Sequence, residues 1–168
     1  MSHTESVRSS KLVFTAFTGL PLVGVGDDLV SLILHECDAA NENLCDGDIL
    51  VIAQKIVSKA EGRVVNLADV TPSDAALVLA QSSNKDPRLV EVILAESKEI
   101  IRQREGTIIV ENRLGVVLAN AGIDMSNVDQ DGGDAVLLLP EDPDSSCARL
   151  RDEFKKRAHV DLGVVIND

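Results

Sequence analysis

The chain has 168 residues, of which 45% are apolar, and a formal net charge of -12. A chain of this length buries about two-thirds of the surface that its unfolded form exposes, so we expect one compact domain. The negative charge opposes binding to a nucleic-acid backbone, because such binding depends on basic residues that release counterions. With three Phe and no Trp or Tyr, the sequence also offers no platform for stacking bases. A small nucleotide stays compatible with this composition if metal ions and a few local cations neutralise its phosphates.

The cysteines and the apolar runs bear on the cellular compartment. Cys37, Cys45 and Cys147 are odd in number and lack metal-ligand spacing, and residues 1–10 contain no apolar segment of a signal peptide. Apolar runs such as "AVLLLP" fall far short of the roughly 20 residues that cross a membrane. We therefore expect a cytoplasmic protein without a membrane span, in which residues 1–10 form a disordered tail.

Several elements are predicted in the first half of the chain. "KLVFTAF" predicts a strand over residues 11–17, and a Gly- and Pro-rich loop then leads to a helix over 29–41 that Asp27 or Asp28 caps. "DGDILVIAQ" predicts a turn and a strand, followed at once by the basic segment "KIVSKAEGR". Functional sites are often built where a strand ends.

Two helices are predicted next. Thr71 is the expected N-cap of the first, with Pro72 at its first helical position. Asp86 and Pro87 repeat this arrangement for the second, whose apolar spacing predicts one long helix over 86–105.

The rest of the chain alternates strands and a helix. "TIIVENRLGVVLAN" predicts a hairpin around "NRLG", and "AVLLLP" predicts a further strand. A helix over 145–159 with Asp144 as its N-cap and a last strand, "LGVVIN", follow. The mixture predicts an α+β fold with a mixed sheet, antiparallel hairpins and packed helices.

The basic segment "QKIVSKAEGR" is the first candidate site. Lys55, Lys59, Glu61 and Arg63 lie beside Gly62 in an otherwise acidic chain. One interpretation is a phosphate-binding element, with Lys59 as a point charge and backbone N–H groups near Gly62 around the anion. The other is a solvated turn with ordinary surface lysines. The sequence has no Walker A motif that would decide between them.

The polar loop "ANAGIDMSNV" is the second candidate. It carries Asn120, Asp124, Ser126 and Asn127. Asp124 and Asn127 suit Mg²⁺, which takes oxygen ligands and often only one or two protein carboxylates. The other interpretation, which the local sequence favours, is an Asx-turn in which these side chains bond their own backbone. Asp168 is a third candidate, either a second metal carboxylate or simply the last residue.

These segments, in this order, resemble one known family. "GLPLVGVGDDL", "SKAEGR", "KDPRLVEVILAES", "NAGIDMSNV", "LLLPEDPD" and "GVVIND" are similar to motifs of the coenzyme F420-0:L-glutamate ligases, which attach glutamate to the deazaflavin coenzyme F420. The resemblance runs from about Leu12 to Asp168. Its most specific signals are "SKAEGR" and "NAGIDxSNV".

The resemblance implies an activity and a set of ligands. It implies a GTP-dependent ligase that adds L-glutamate to F420-0 through an acyl phosphate, with Mg²⁺ or Mn²⁺. It also implies an intertwined homodimer.

The resemblance also implies roles for individual residues. Lys59 and Asp124 match catalytic positions, and Asp124 and Asp168 match metal ligands. Matched nucleotide contacts are Leu20, Pro21, Leu22, Val23, Gln54, Lys55, Lys59 and Asn127.

Two departures from the family pattern bear on these expectations. Where this chain has Gln54 and Lys55, the family has a small polar pair such as Ser-Thr, so backbone contacts are expected there. The family pattern also continues beyond the position of Asp168 with a hydroxyl residue, "GR" and a domain-sized stretch. Residues 11–168 are therefore expected to form a C-terminally incomplete ligase domain. The alternative function is a nucleotide-binding or dimerising module without turnover.

Overall fold

The computed structural model describes residues 11–125 and 134–167 of the protein. The helices of these residues are α1 Leu29–Ala40, α2 Gln54–Ala60, α3 Asp74–Ser83, α4 Pro87–Ala95 and α5 Pro143–Ala158. The strands are β1 Ile49–Ala53, β2 Val64–Asn66, β3 Ser97–Arg104, β4 Thr107–Asn112, β5 Val117–Ala119, β6 Ala135–Leu137 and β7 Gly163–Asn167. None of the described helices is long and apolar enough to cross a membrane.

The strands form three small sheets. β1 and β7 pair in parallel, β2 and β6 pair antiparallel, and β3, β4 and β5 form an antiparallel sheet. The β4–β5 hairpin turns at "NRLG", where Asn112 Oδ1 accepts from the N–H groups of Leu114 (3.0 Å) and Val116 (2.9 Å). The α+β class and the hairpin are thus confirmed, but the strands of the described residues do not join into one mixed sheet.

Two of the four predicted helix N-caps are confirmed. Asp28 accepts from Ser31 N–H at 3.2 Å at the start of α1, and Asp86 accepts from Arg88 N–H at 2.8 Å before Pro87. The sequence predicts these two caps correctly because an N-cap depends on one residue and its immediate neighbours.

The predicted caps at Thr71 and Asp144 are wrong. Ser73 caps α3, because Glu91 accepts from both its N–H (2.8 Å) and its hydroxyl (2.6 Å) and fixes it there. Asp142 caps α5, because Pro143 then occupies the first helical position, which it favours.

The long helix predicted over 86–105 is also wrong in its second half. α4 ends at Ala95, and the chain continues as β3, in which Ile100 lies opposite Val110 of β4. Pairing with β4 satisfies the backbone of this segment and outweighs its helical spacing, as tertiary contacts often do. β2 was not predicted, since three residues give no periodic signal.

The strand predicted at "KLVFTAF" is absent. Residues 11–24 form no helix or strand, and the side chains of Leu12 and Phe14 are 77% and 86% exposed. The β-prone composition of this segment finds no pairing partner in the described chain.

Two buried clusters organise the molecule. The antiparallel core packs on β4 and consists of Leu67, Ala76, Leu79, Ala80, Leu89, Val90, Val92, Ile93, Ile108, Val110, Ala121, Val136 and Leu138. The parallel core packs on β1 and consists of Leu29, Val30, Ile33, Cys37, Ile52, Val57, Leu150, Phe154 and Leu162.

Candidate functional site

Helix α2 carries the basic segment and starts directly at the end of β1. Its first residue, Gln54, is buried, and Gln54 Nε2 donates to Ser58 Oγ (2.9 Å) and to the carbonyl of Leu138 (3.2 Å). Ser58 is itself fully buried. These bonds fix α2 against the end of β6, so the Gln54 side chain has a structural role in this conformation.

The predicted anion cradle near Gly62 is a helix C-terminus instead. The N–H groups of Glu61, Gly62 and Arg63 donate to the carbonyls of Val57 (2.9 Å), Lys59 (3.0 Å) and Ser58 (2.9 Å). Gly62 has a φ of +70°, which glycine adopts without strain. Because these N–H groups satisfy the last turn of α2, the interpretation of them as phosphate donors is wrong.

Two of the charged residues in the basic segment form structural ion pairs. Arg63 Nη2 lies 2.9 Å from Glu96 Oε2, and its Nε donates to the carbonyl of Leu139 at 2.9 Å. Glu61 accepts from Arg149 Nη2 at 2.6 Å and from the Ser146 hydroxyl. Only the two lysines of the segment then remain as candidates for phosphate contacts. Lys55 and Lys59 lie one turn apart on α2, where an i, i+4 pair shares a face.

Asp124 is placed by a short antiparallel bridge to the end of β6. Its N–H donates to the carbonyl of Leu137 (2.9 Å), and Leu137 N–H donates to the carbonyl of Asp124 (2.8 Å). The bridge lies only two residues beyond Gly122 and fixes the backbone of the loop at this point.

A left-handed turn precedes this bridge. Asn120, Ala121 and Gly122 have φ values of 49°, 56° and 72°, and Asn120 Oδ1 accepts from Ile108 N–H at 3.3 Å. A Cβ at Gly122 would lie 2.8 Å from Leu139 Cδ1. "NAG" is therefore a turn that requires glycine at position 122, and the side chain of Asn120, which the sequence places in the polar loop, holds this turn against β4.

The structure brings the basic segment "QKIVSKAEGR" and the polar loop "ANAGIDMSNV" together. Lys55 Nζ lies 3.5 Å from Asp124 Oδ2, with side chains that are 43% and 27% exposed. The basic segment packs on the parallel core through Val57, and the polar loop packs on the antiparallel core through Ala121. The candidate site therefore lies at the seam between the two cores.

The loop Leu20–Val23 belongs to the same region. Leu20 and Val23 pack against the parallel core, whereas Pro21 and Leu22 are exposed. Just beyond the loop, Gly26 N–H donates to the carbonyl of Ala60 at the end of α2 (2.9 Å). A cavity of about 600 Å³ is lined by residues 13–17 and Leu20 on one side and by β1 and Ile56 on the other.

Two predicted site residues, Asn127 and Asp168, lie outside the described residues, as does Ser126. The nearest described position to Asp168 is Asn167, which pairs with Ala53 immediately before α2. The pairing of β1 and β7 thus delivers the chain to the same edge at which α2 begins.

The donor set bears on the expected metal. Among residues 11–125 and 134–167, no three His, Cys, Asp or Glu side chains cluster as a metal site. Asp124 is one carboxylate, and the Lys55 ammonium beside it is a stand-in cation. Because Mg²⁺ often takes one or two carboxylates and completes its shell with water and phosphate, Asp124 fits such an ion.

Cys37, Cys45 and Cys147 are free thiols. His35 is exposed and lies 4.0 Å from Glu36, and His159 is the left-handed C-cap of α5.

Comparison with known proteins identifies relatives over most of the chain. The family model described as F420-0:gamma-glutamyl ligase matches residues 19–168. "Coenzyme F420:L-glutamate ligase" from Methanothermobacter thermautotrophicus is 49% identical over 150 residues, which cover 89% of this chain and 58% of the relative.

Two more proteins of that name are similar. The one from Methanopyrus kandleri is 46% identical over 85% of this chain and 54% of its own length. The one from Halobacterium salinarum is 38% identical over 91% of this chain and 58% of its own length. The chain therefore spans somewhat more than half the length of these curated relatives.

Proposed function

Because the chain belongs to the F420-0:gamma-glutamyl ligase family, we propose that it forms amide bonds between L-glutamate and coenzyme F420-0 with GTP as the co-substrate. The observation that carries this proposal is the Lys55–Asp124 pair, which joins the helix of the basic segment "QKIVSKAEGR" to the loop "NAGID". Two lysines on one helix and a carboxylate across from them suit a nucleotide whose phosphates carry a divalent ion.

The reaction requires that a carboxylate become an acylating agent. Transfer of the γ-phosphoryl group of GTP to the terminal carboxylate of F420-0 gives an acyl phosphate and GDP. The amine of glutamate then attacks the acyl carbon. The bond between this carbon and the phosphate oxygen breaks, inorganic phosphate leaves, and loss of a proton from nitrogen gives the amide. Enzymes that transfer phosphoryl groups act mainly through positioning and charge neutralisation.

The residues of this chain have separate roles in that scheme. Lys59, with Lys55 one turn earlier, binds the phosphates from α2, and the loop Leu20–Val23 contacts the nucleotide. Asp124 and Asp168 would hold the metal, Mg²⁺ or Mn²⁺, and Asn127 would contact the nucleotide. When bound, such an ion supplies positive charge to the phosphate oxygens during transfer.

The proposal extends to assembly and location. An intertwined homodimer would cover apolar side chains that this chain exposes, among them Phe14 (86%), Ile49 (67%) and Val51 (60%). The three free cysteines agree with a reducing cytoplasm.

A second candidate is a nucleotide-binding or dimerising module without turnover. The Lys55–Asp124 pair supports nucleotide binding in either case. The two candidates share the nucleotide site and differ only in whether glutamate is joined.

Mass spectrometry separates them. The protein is incubated with F420-0, GTP, Mn²⁺ and L-glutamate, with parallel reactions that lack GTP or use Asp124→Asn. The ligase proposal predicts a glutamyl adduct only in the complete wild-type reaction. GTP binding without any adduct supports the second candidate, and absence of both adduct and GTP binding overturns both.

A further inference from the structure

We propose that Lys55 is an internal counter-ion that competes with a divalent cation for the Asp124 carboxylate, and so weakens metal binding in the absence of nucleotide. The inference rests on the proposed function only in taking Asp124 as a metal ligand. Its physical basis is the 3.5 Å separation of Lys55 Nζ and Asp124 Oδ2.

Both partners of this pair sit on backbone that the fold holds in place. Lys55 is the second residue of α2, which the buried Gln54 side chain anchors to the carbonyl of Leu138. Asp124 is tied through two backbone hydrogen bonds to Leu137, the residue before Leu138. Lys55 and Asp124 are thus each held beside one of two consecutive residues, Leu138 and Leu137. The fold itself therefore places the ammonium opposite the carboxylate.

Charge makes the two cations mutually exclusive at close range. A lysine ammonium and a divalent ion are both positive, and each is attracted to the same carboxylate oxygen. The side chains are 43% and 27% exposed, so solvent screens their interaction only in part. A metal ion that binds alone must displace Lys55 or bind beside its charge, and either requirement lowers its affinity.

A nucleotide removes this competition. The phosphates of the nucleotide pair with the Lys55 ammonium in place of the Asp124 carboxylate. Lys55 then no longer competes with the metal for this carboxylate. The affinity for the metal then rises when nucleotide is present, and by linkage the affinity for nucleotide rises by the same factor when metal is present. Lys55 is in this sense a positioning residue that makes the two ligands bind together.

The test measures binding of Mn²⁺ alone, by calorimetry and by the paramagnetic resonance of free Mn²⁺. Lys55→Met keeps the length of the side chain and removes its charge, and it should bind Mn²⁺ about threefold to fivefold more tightly than wild type, the equivalent of a partly exposed ion pair. Lys55→Arg keeps the charge and should stay near wild type. The matched control is Lys98→Met, because Lys98 Nζ also lies 3.5 Å from a carboxylate, Glu111, with exposures of 53% and 34%. It should leave Mn²⁺ affinity unchanged.

The double variant Lys55→Met/Asp124→Asn identifies the carboxylate for which the cations compete. It should lose the gain in affinity, and a gain that persists in it overturns the inference. Equal affinity of wild type and Lys55→Met overturns the inference while leaving the proposed function intact. No Mn²⁺ binding by any well-folded variant, checked by thermal melting, overturns the inference too, and the glutamyl-adduct assay then decides the proposed function separately.

Discussion

The two cores of the molecule close in different ways. In the antiparallel core, Ile108 and Val110 of β4 are fully buried beneath α3 and α4, while the alternate residues Thr107, Ile109 and Glu111 are half-buried on the other face. In the parallel core, Ile52 of β1 is buried, but Ile49 and Val51 on the other face are 67% and 60% exposed.

This difference shows which half needs a partner surface. Antiparallel sheets often leave one face to water, whereas parallel strands are normally covered on both faces. Among the described residues, the apolar outer face of β1 is thus largely exposed beside the candidate site, whereas β4 is buried or half-buried on both faces. The candidate site lies between the two cores, with α2 on the parallel core and Asp124 on the antiparallel core.

The largest expected effect contrasts one isoleucine from each half. Ile108→Ala leaves a cavity in the antiparallel core and should lower the free energy of unfolding by about 3 kcal/mol. In the monomer, Ile49→Ala removes a largely exposed side chain from β1 and should cost less than about 0.5 kcal/mol. Urea unfolding at protein concentrations at which the chain is monomeric measures both. A similar loss for Ile49→Ala in the monomer would contradict the contrast, whereas a loss that appears only at higher protein concentration would agree with the proposed homodimer.

The turn that places Asp124 should be nearly as sensitive. Gly122→Ala combines a left-handed φ of +72° with a Cβ only 2.8 Å from Leu139 Cδ1, so we expect a loss of about 2–3 kcal/mol. The matched control is Gly106→Ala, where φ is +77° and no atom lies within 4 Å, so only about 1 kcal/mol is expected. Equal losses at the two glycines would show that the close approach at Gly122 has no cost.

A smaller effect should follow from cutting the ion pair that joins the two halves. Arg63 connects the end of α2 to Glu96 after α4, with side chains only 20% and 16% exposed. Among the described residues, Arg63→Met leaves the Glu96 carboxylate with only its 3.5 Å contact to the more exposed Arg113, and it should cost about 2 kcal/mol in thermal or urea unfolding. Arg149→Met, whose own side chain is 61% exposed, is the control and should cost less than about 0.5 kcal/mol. A loss as small for Arg63→Met would remove this link as a stabilising contact.

The smallest effect is a pH dependence that the two halves share. The hydrogen bond from the Ser31 hydroxyl lowers the pKa of Asp28, the cap of α1. The hydrogen bond from the Arg88 guanidinium lowers the pKa of Asp86, the cap of α4. Because both folded pKa values are depressed, these carboxylates stabilise the fold fully above about pH 4 and lose that contribution as pH falls through the folded pKa.

Acid titration of stability tests this sharing. Asp28→Asn and Asp86→Asn should each reduce the fall in the free energy of unfolding below about pH 4. The first variant removes the titrating cap of α1 in the parallel core, and the second removes that of α4 in the antiparallel core. A wild-type stability that does not fall between pH 4 and pH 2 would contradict it.

The sequence predicted features that depend on near neighbours and missed those that depend on distant ones. Asp28, Asp86 and the "NRLG" turn are local signals, and the structure confirms all three. The segment around Ile100 has helical spacing but becomes a strand because β4 lies beside it. Motif resemblance predicted the site residues, but only the fold shows that Lys55 lies beside Asp124 and that the N–H groups near Gly62 end a helix.

The central claim is that α2 and Asp124 form one metal-dependent nucleotide site, and calorimetric titration of GTP with Mn²⁺ tests it most directly. Wild type should bind GTP only with Mn²⁺ present, and Asp124→Asn should weaken this binding about tenfold or more. Asp161→Asn is the control, because Asp161 pairs with Arg151 of α5 and is outside the candidate site; its GTP binding should be unchanged. Undiminished, metal-dependent GTP binding by a folded Asp124→Asn protein would contradict the account.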